Sequence, residues 1–255
     1  MYEKELKVAK KAAEKAGKIL IKYHRKELEI SNKIGVDIVT NADLEAEKLI
    51  VNTLKKSFQN YGILAEESGV EGNQKTKWII DPLDGTMNFS RGSEIFGTTI
   101  ALEKDGEIVL GLIYLPKHKE MFTAIKGKGT FLNKKRINVS NRKGESSIII
   151  IGGGWFSKES EKFNKNLTEL ANKYPNGFRR YGSAIYGLAM IGCGRSEAML
   201  FHHTKSWDIS AGALLVEEAG GLVTNLKGEK WNPYQGNYVF SNGKIHKEIL
   251  GIINK

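Results

Sequence analysis

Four carboxylates stand where the sequence could do chemistry: Glu66, Asp81, Asp84 and Asp208. Glu66 follows the apolar run Ile63-Leu64-Ala65, and Asp81 follows Trp78-Ile79-Ile80. Both runs predict short buried strands with acids at their C-terminal ends. Asp84 lies three residues further along in Asp81-Pro82-Leu83-Asp84-Gly85-Thr86, and Asp208 opens a helix after Trp207. Acids at the ends of adjacent strands project into one crevice, where ligands of such sheets bind. Two like charges about 4 Å apart at an effective dielectric of 20 repel by about 4 kcal/mol, so the cluster requires cations. An all-oxygen donor set, without Cys or paired His, selects hard metals: Mg²⁺ first, with Mn²⁺ or Ca²⁺ as substitutes.

The segment from Asp81 to Thr86 has an internal logic. Pro82 restricts the backbone and removes one amide, which lets Asp81 and Asp84 turn to one side, while Gly85 permits a close approach. Thr86-Met87-Asn88-Phe89 can start a helix whose free amides at Gly85 and Thr86 face an anion. Taken alone, the same residues are an equally good turn sequence. Other candidates carry less. His202 and His203 end a strand, where neighbours point to opposite faces and a shared metal is disfavoured. Cys193 reads as a packed thiol, Gly127-Lys128-Gly129-Thr130 as a turn, and Gly152-Gly153-Gly154 as a flexible loop.

The elements that must position these residues follow from the pattern. Leu6, Ala9, Ala13, Ala16 and Leu20 recur at helical spacing, and Thr40-Asn41-Ala42-Asp43 reads as the capped start of a second helix through Leu54 and Phe58. A polar loop around Ser31 to Gly35 joins them. From Gly97 to Val139 the pattern is antiparallel, with a turn at Lys104-Asp105-Gly106. The second half predicts a strand at 148–151, a helix at 158–172, a small-residue helix at 183–191 capped by Ser183, a strand at 198–201 and a helix from Asp208 to Ala219 ended by Gly220-Gly221. The fold class is therefore α+β first and α/β second, with sheets between helix layers. The expected division is an N-terminal half, 1–141, with the metal and phosphate site, and a C-terminal half, 142–255, contributing Asp208, packed as one unit.

The chain has 255 residues, 40% hydrophobic and 27% charged, which excludes a disordered or disulfide-stapled protein. One cysteine fits a reducing compartment, and no run suits a signal peptide or a membrane span, so a cytoplasmic location is expected. There are 39 Lys+Arg against 29 Asp+Glu, a net charge of +10. That surplus suggests affinity for phosphate. The densest basic clusters, Lys10-Lys11, Lys134-Lys135-Arg136 and Arg179-Arg180, are scattered and not interleaved with aromatics, so nucleic acid is a disfavoured partner and most of the charge reads as solvated surface.

Together these motifs resemble the inositol monophosphatase family of the Mg²⁺-dependent, lithium-sensitive phosphatases, a superfamily that includes fructose-1,6-bisphosphatases and 3′-phosphoadenosine-5′-phosphate phosphatases. The resemblance runs through DIVTNAD at 37–43, LAEES at 64–68, WIIDPLDGTMNF at 78–89, GKGTFLNKKRINVS at 127–140, YGSAIYGLAMIGCG at 181–194 and the segment starting WDISAG at 207. It implies a layered αβαβα sandwich. It implies one metal held by Glu66, Asp81 and the Leu83 carbonyl, a second by Asp81, Asp84 and Asp208, and a third, weaker one leaning on Glu66, hence two to three Mg²⁺ per site. Thr86, bonded to Asp43, and Glu66 would act on the attacking water, and the Gly85 and Thr86 amides would hold the phosphate. Glu67 would support the metal shell from behind.

The same resemblance places Gly182, Ser183 and Ala184 against substrate hydroxyls, with Arg180 and Lys205 supplying charge to a more anionic substrate. Inositol-specific animal enzymes carry a glutamate seven positions before the WD aspartate, where this chain has Phe201. The loop from Lys33 to Asp37 is also about one residue shorter than the animal pattern, which leaves the role of Lys33 open. The implied activity is a broad phosphomonoesterase for inositol-1-phosphate and sugar phosphates such as fructose-1,6-bisphosphate, in a homodimer. An adenosine-bisphosphate phosphatase and a nucleic-acid or transcription-complex binding protein on the same fold are the alternatives.

Overall fold

The computed structural model describes residues 1–32, 38–153, 161–175 and 177–255. The chain begins with helix α1 (Glu3–Tyr23), a short antiparallel pair β1 (Ile30–Asn32) and β2 (Ile38–Thr40), and helix α2 (Asn41–Ser57). There follow β3 (Gly62–Ala65), β4 (Gly69–Glu71), β5 (Thr76–Asp84), the short helix α3 (Thr86–Ser90), β6 (Gly97–Lys104), β7 (Glu107–Leu115), β8 (Glu120–Ile125), β9 (Gly129–Leu132) and β10 (Lys135–Ile137). The remainder comprises β11 (Ile149–Gly153), α4 (Glu161–Lys173), β12 (Phe178–Arg179), α5 (Ala184–Gly192), β13 (Ala198–His202), α6 (Ser206–Glu218), β14 (Leu222–Asn225), β15 (Tyr238–Ser241) and α7 (His246–Ile253).

Among the described residues, one sheet has eight strands in the order β10-β9-β8-β7-β6-β5-β3-β4, in which β3 and β5 run parallel and the other neighbours antiparallel. A second has five, in the order β12-β11-β13-β15-β14, parallel at β12-β11-β13 and antiparallel beyond. Alternation along β5 assigns its faces. Trp78 and Ile80 pack with α1 and α2, whereas Ile79 packs with α5 and α6. Helices α5 and α6 also cover the five-stranded sheet through Met199, Phe201 and Phe240, and α4 and α7 close its far side around Leu170, Leu200 and Ile249. The layers read α1/α2, large sheet, α5/α6, small sheet, α4/α7: the αβαβα sandwich and mixed α+β and α/β class expected from the sequence. No helix of the described residues is long and apolar enough to cross a membrane.

Local sequence explains the helices that matter. On α1, Ala9, Ala12, Ala13 and Ala16 are fully buried against Ala42, Ala46 and Ile50 of α2, so small residues let the two axes approach closely. Thr40 caps α2: its hydroxyl accepts from Ala42 N (3.2 Å) while Asp43 Oδ2 accepts the Thr40 amide (2.8 Å). Helix α6 is buried along most of its length, and Gly111 of β7 admits it. A Cβ on Gly111 would lie 2.7 Å from the Ala211 carbonyl oxygen and 3.0 Å from its Cα.

Two glycine substitutions separate packing from propensity. Gly111→Ala forces α6 off the sheet and is expected to destabilise by about 1–3 kcal/mol. Gly251→Ala, in α7 with nothing within 4 Å of the added Cβ, is expected to stabilise by about 0.5–1 kcal/mol. Thermal unfolding followed by circular dichroism should show midpoints moving in opposite directions, by about 2–4 °C per kcal/mol for a chain of this size. Equal shifts of one sign would contradict the assignment of close packing to Gly111.

Candidate active site

In a regular strand Asp81 and Asp84, three residues apart, would face opposite sides of the sheet. Strand β5 runs on through Pro82 to Asp84 rather than ending at Asp81, and its pairing with β6 slips between these two acids. Pro82, which cannot donate to the ladder, sits in that irregularity. The slip is held by the Thr98 hydroxyl, which donates to the Pro82 carbonyl (2.8 Å), and by the Leu83 amide, which donates to Asp81 Oδ1 (2.9 Å). Leu83 turns into the α1/α2 core, and Asp81 and Asp84 share one side. One oxygen from each of Asp81, Asp84 and Asp208 lies within 4.8 Å of the others. Asp81 is 1% exposed and the other two are half-buried.

Asp208 arrives from α6, far along the chain. Helix α6 begins two residues before it, at Ser206, so Asp208 occupies the third position and not the opening one. There its Oδ2 accepts the Thr204 hydroxyl (2.6 Å) and the Lys205 amide (2.9 Å). Asp84 is gripped likewise: its carboxylate accepts the Ser183 hydroxyl, the Ala184 amide (3.1 Å) and the Ile185 amide (3.2 Å), all at the N-terminus of α5. Ser183 also caps α5 by accepting from Tyr186 N (3.3 Å). Gly85, at φ 87°, ends β5 where a Cβ would press to 2.9 Å from the Ile95 carbonyl oxygen. The first amide of α3 bonded back is Phe89, to the Gly85 carbonyl (2.9 Å), which leaves the Gly85 and Thr86 amides at the open end of that turn.

The remaining acids come from α2 and the end of β3. The Thr86 hydroxyl is shared between the Leu83 carbonyl (2.9 Å) and Asp43 Oδ1 (3.2 Å), while Asp43 Oδ2 also accepts the Thr40 hydroxyl (2.5 Å). A carbonyl oxygen has two lone pairs, so Leu83 keeps one for a cation. The Glu66 amide donates to the Ile80 carbonyl (3.2 Å), and its half-buried carboxyl hydrogen-bonds with Asp81. Glu47, buried one helical turn after Asp43, receives the amides of Glu67 (2.9 Å) and Ser68 (2.8 Å) and so orients this loop. The sequence reading missed Glu47, Thr204 and Asn88. The spacing of Asp43 and Glu47 on α2 was the available signal for the first.

Burial pushes the clustered carboxyls upward. Asp84 is pushed up to about 7 by desolvation and then by the charge of Asp208, against the stabilising bonds from Ser183, Ala184 and Ile185. Desolvation raises Asp208 to about 6 despite the bonds from Thr204 and Lys205. Asp81 rises well above the usual range, through desolvation and the charges of Glu66, Asp84 and Asp208, and Asp43 rises by desolvation against its threonine bonds.

The other sequence candidates lie apart from this cluster or do other work. Arg180 is exposed and donates to the Gly153 carbonyl (3.2 Å); Lys205 is exposed and contributes its backbone amide to Asp208. Gly182, at φ 70°, packs against the Asn88 side chain, which itself donates to the carbonyls of Ile95 (2.9 Å) and Tyr181 (2.7 Å). Phe201 is buried against Gly152 and edge-on to Phe240. His203 departs from the expected opposite-face geometry: at φ 57° it leaves the strand, and its ring centroid lies 4.1 Å from that of His202. Gly127 and Gly129 form a turn whose amides both donate to Glu218 (2.7 Å each). Lys33, Asp37, Gly154 and 158–160 of the expected helix lie outside the described residues.

The inositol monophosphatase family matches the chain over residues 1–255. The chain is 35% identical over 246 residues to a protein of Thermotoga maritima named fructose-1,6-bisphosphatase/inositol-1-monophosphatase, covering 96% of this chain and 94% of that one. It is 38% identical over 232 residues to the Nus factor SuhB of Xylella fastidiosa, covering 89% and 84%. Among solved structures, the extragenic suppressor protein suhB of Bartonella henselae superposes with a TM-score of 0.94 at 35% identity, covering 99% of both chains.

The raised carboxyls fix a pH dependence. Free carboxyls titrate near 3.9, so between about pH 4 and 7 the metal-free folded chain holds more protons at Asp84 and Asp208 than the unfolded chain. Stability is then full at low pH and lost as pH rises through 6 and 7. Chelated wild-type protein should melt lower at pH 8 than at pH 5.5 relative to Asp84→Asn, and Mg²⁺ should raise the midpoint more at pH 8. Thermal melts of both proteins with chelator and with Mg²⁺ test this; parallel pH profiles would refute it.

Proposed function

The chain belongs to the inositol monophosphatase family, and from that membership we propose that it is a Mg²⁺-dependent phosphomonoesterase acting on inositol-1-phosphate and other sugar phosphates such as fructose-1,6-bisphosphate. The observation that carries this reading is the convergence of Asp81, Asp84 and Asp208 oxygens within 4.8 Å, next to the Thr86–Asp43 bond. Three buried or half-buried carboxylates at that separation fit hard divalent cations, because without them the set is driven to take up protons. Glu66, Asp81 and the Leu83 carbonyl would hold one Mg²⁺; Asp81, Asp84 and Asp208 a second, with Mn²⁺ as a substitute and a third, weaker site beside Glu66. When bound, the cations lower the pKa of the attacking water and neutralise charge on the phosphoryl oxygens and the leaving alkoxide.

Every other step belongs to the chain. The Gly85 and Thr86 amides at the open turn of α3 hold phosphate oxygens. Thr86, shared between Asp43 and the Leu83 carbonyl, orients the water in line with the scissile bond and passes its proton towards Asp43, with Glu66 alongside as acceptor. The water oxygen bonds to phosphorus, the ester P–O bond breaks, and the alkoxide leaves as the alcohol by taking a proton from solvent water, while the proton lost by the attacking water returns to solvent from the accepting carboxylate. Gly182, Ser183 and Ala184 lie beside Asp84 and would set how closely the polyol approaches, with Arg180 and Lys205 at the rim for a second anionic group. The halves 1–141 and 142–255 divide the labour, the second contributing Asp208 and the substrate side. Lithium sensitivity, a homodimer and a cytoplasmic location belong to the same proposal and rest on family likeness.

Phosphate release in Mg²⁺ should fall by more than about 100-fold in kcat for Asp84→Asn, with the circular dichroism spectrum unchanged. Turnover at the wild-type rate would remove Asp84 from the site. A panel of inositol-1-phosphate, fructose-1,6-bisphosphate and adenosine 3′,5′-bisphosphate should give kcat/KM at least about tenfold higher for one of the first two. A reversed order would reassign the enzyme to nucleotide phosphates.

A further inference from the structure

Three residues, His203 to Lys205, join the end of β13 to the start of α6, and each commits its amide. Lys205 donates to Asp208 Oδ2 (2.9 Å), Thr204 to the Gly236 carbonyl (2.9 Å) and His203 to Asn237 Oδ1 (2.9 Å). His203 holds the left-handed conformation at φ 57°, which a residue other than glycine keeps only where its surroundings over-determine it. Here the surroundings are the segment 232–237, just before β15. The Tyr238 hydroxyl, on a fully buried side chain, accepts the Gln235 (3.0 Å) and Gly236 (3.1 Å) amides and donates to the Asn232 carbonyl (2.7 Å), so one oxygen folds this segment into a tight strap. Two residues before Gly236, the Tyr234 hydroxyl donates to Glu103 of β6, and Lys77 Nζ of β5 lies over the Tyr234 ring (5.4 Å). Lys77 and Glu103 form a buried ion pair (3.4 Å), and Lys77 shares its face of β5 with Asp81. The strap therefore ties the Thr204 turn to the strand that supplies the other acids.

The Thr204 hydroxyl donates to Asp208 Oδ2 (2.6 Å), the same oxygen that receives the Lys205 amide. We infer that Thr204, Asn237 and Tyr238 are positioning residues for Asp208: the strap fixes the Thr204 turn, the hydroxyl and the amide hold Oδ2, and Oδ1 is left to the cation. The inference deepens the phosphatase reading and rests on it. An acid at the third position of α6 reaches back to the Lys205 amide as in any capped helix, whereas the Thr204 bond exists only because the strap holds the turn. A carboxylate free to rotate offers either oxygen or both, and settling it on one takes conformational freedom at the moment of binding. Hydrogen bonds made beforehand remove that penalty, and losing an outer partner of a metal ligand weakens binding by about 10–100-fold. Threonine suits the task, because its branched Cβ restricts χ1 and so aims the hydroxyl.

Titration of the full chain with Mn²⁺, with the free ion read by electron paramagnetic resonance, tests this, and Asp208→Asn marks which site is affected. Thr204→Val should bind Mn²⁺ at that site at least about tenfold more weakly, and Thr204→Ser, which keeps the hydroxyl, should stay within about threefold of wild type. Tyr238→Phe and Asn237→Ala should each weaken it by about threefold or more, and neither should add to the loss in Thr204→Val, because all act through one bond. Tyr174→Phe, which removes another fully buried tyrosine hydroxyl, bonded to Glu248 on α7, should lower the thermal midpoint and leave Mn²⁺ affinity unchanged. Wild-type affinity in Thr204→Val or in both strap variants, additive losses in the doubles, or an equal loss in Tyr174→Phe would each overturn the inference while the phosphatase reading stands. A wild-type chain that binds no Mn²⁺ would bring down both.

Discussion

The constraint on which the rest of this structure depends is the forced proximity of like charges. Asp81, Asp84 and Asp208 would separate if they could, and each is prevented by hydrogen bonds that make its position cheaper than retreat into water. The donors come from different elements: the strand slip at Leu83 for Asp81, the first turn of α5 for Asp84, and the residues just before α6 for Asp208. Helix dipoles add to this, because two of the three acids sit at helix N-termini, where partial positive charge offsets part of the repulsion. Burial first, and the charges of the neighbouring acids after it, still raise the carboxyl pKa values of Asp81 and Asp84, which is what the proposed cations would relieve.

Bringing Asp208 to Asp81 and Asp84 fixes where α6 must lie against β5. Helix α6 lies between the two sheets, close against Gly111 on one side and packed on α5 on the other, so Asp208 cannot move without moving the middle layer. Other carboxylates serve as ties. Glu197, fully buried, accepts from Ser140 (2.8 Å), Arg142 (2.8 Å) and the Ile148 amide (2.6 Å), pinning the connection between the sheets to β13. Glu218, at the far end of α6, takes the two turn amides between β8 and β9. Asn88 bridges α3 to the segment before α5. In each case a side chain satisfies groups from a segment distant in sequence, which fixes relative position better than apolar contact does.

Legibility in the sequence follows the range of the interactions involved. Helices α1 and α2, the antiparallel run from β6 to β10 and the strand after Ser147 were readable because periodicity and turn chemistry are local. The acids were readable because an unusual run of polar residues stands at the ends of apolar strands. The continuation of β5 through Pro82 was not, since proline usually ends a strand and only the partner β6 shows that the slip is tolerated. The pair β14 and β15, and α7 behind them, were missed: their turn signals are weak and their pairing is set by β13. The bond from Ser183 to Asp84 spans 99 residues, so the capping serine was legible and its second partner was not. His203 broke the alternation rule because a positive φ removes it from the strand.

Net charge gains a different meaning once burial is known. Of the acids counted against the +10 total, Asp43, Glu47, Asp81, Glu103 and Glu197 are buried. Against these five acids one lysine among the described residues, Lys77, is buried, paired with Glu103 (3.4 Å), so the outer surface is more positive than the formal arithmetic suggests. A net positive surface attracts anions at long range, an effect screened beyond about 8–10 Å at ordinary salt. Such a field raises encounter rates without selecting a destination. Selection needs fixed geometry, and the clustered oxygens of Asp81, Asp84 and Asp208 supply it.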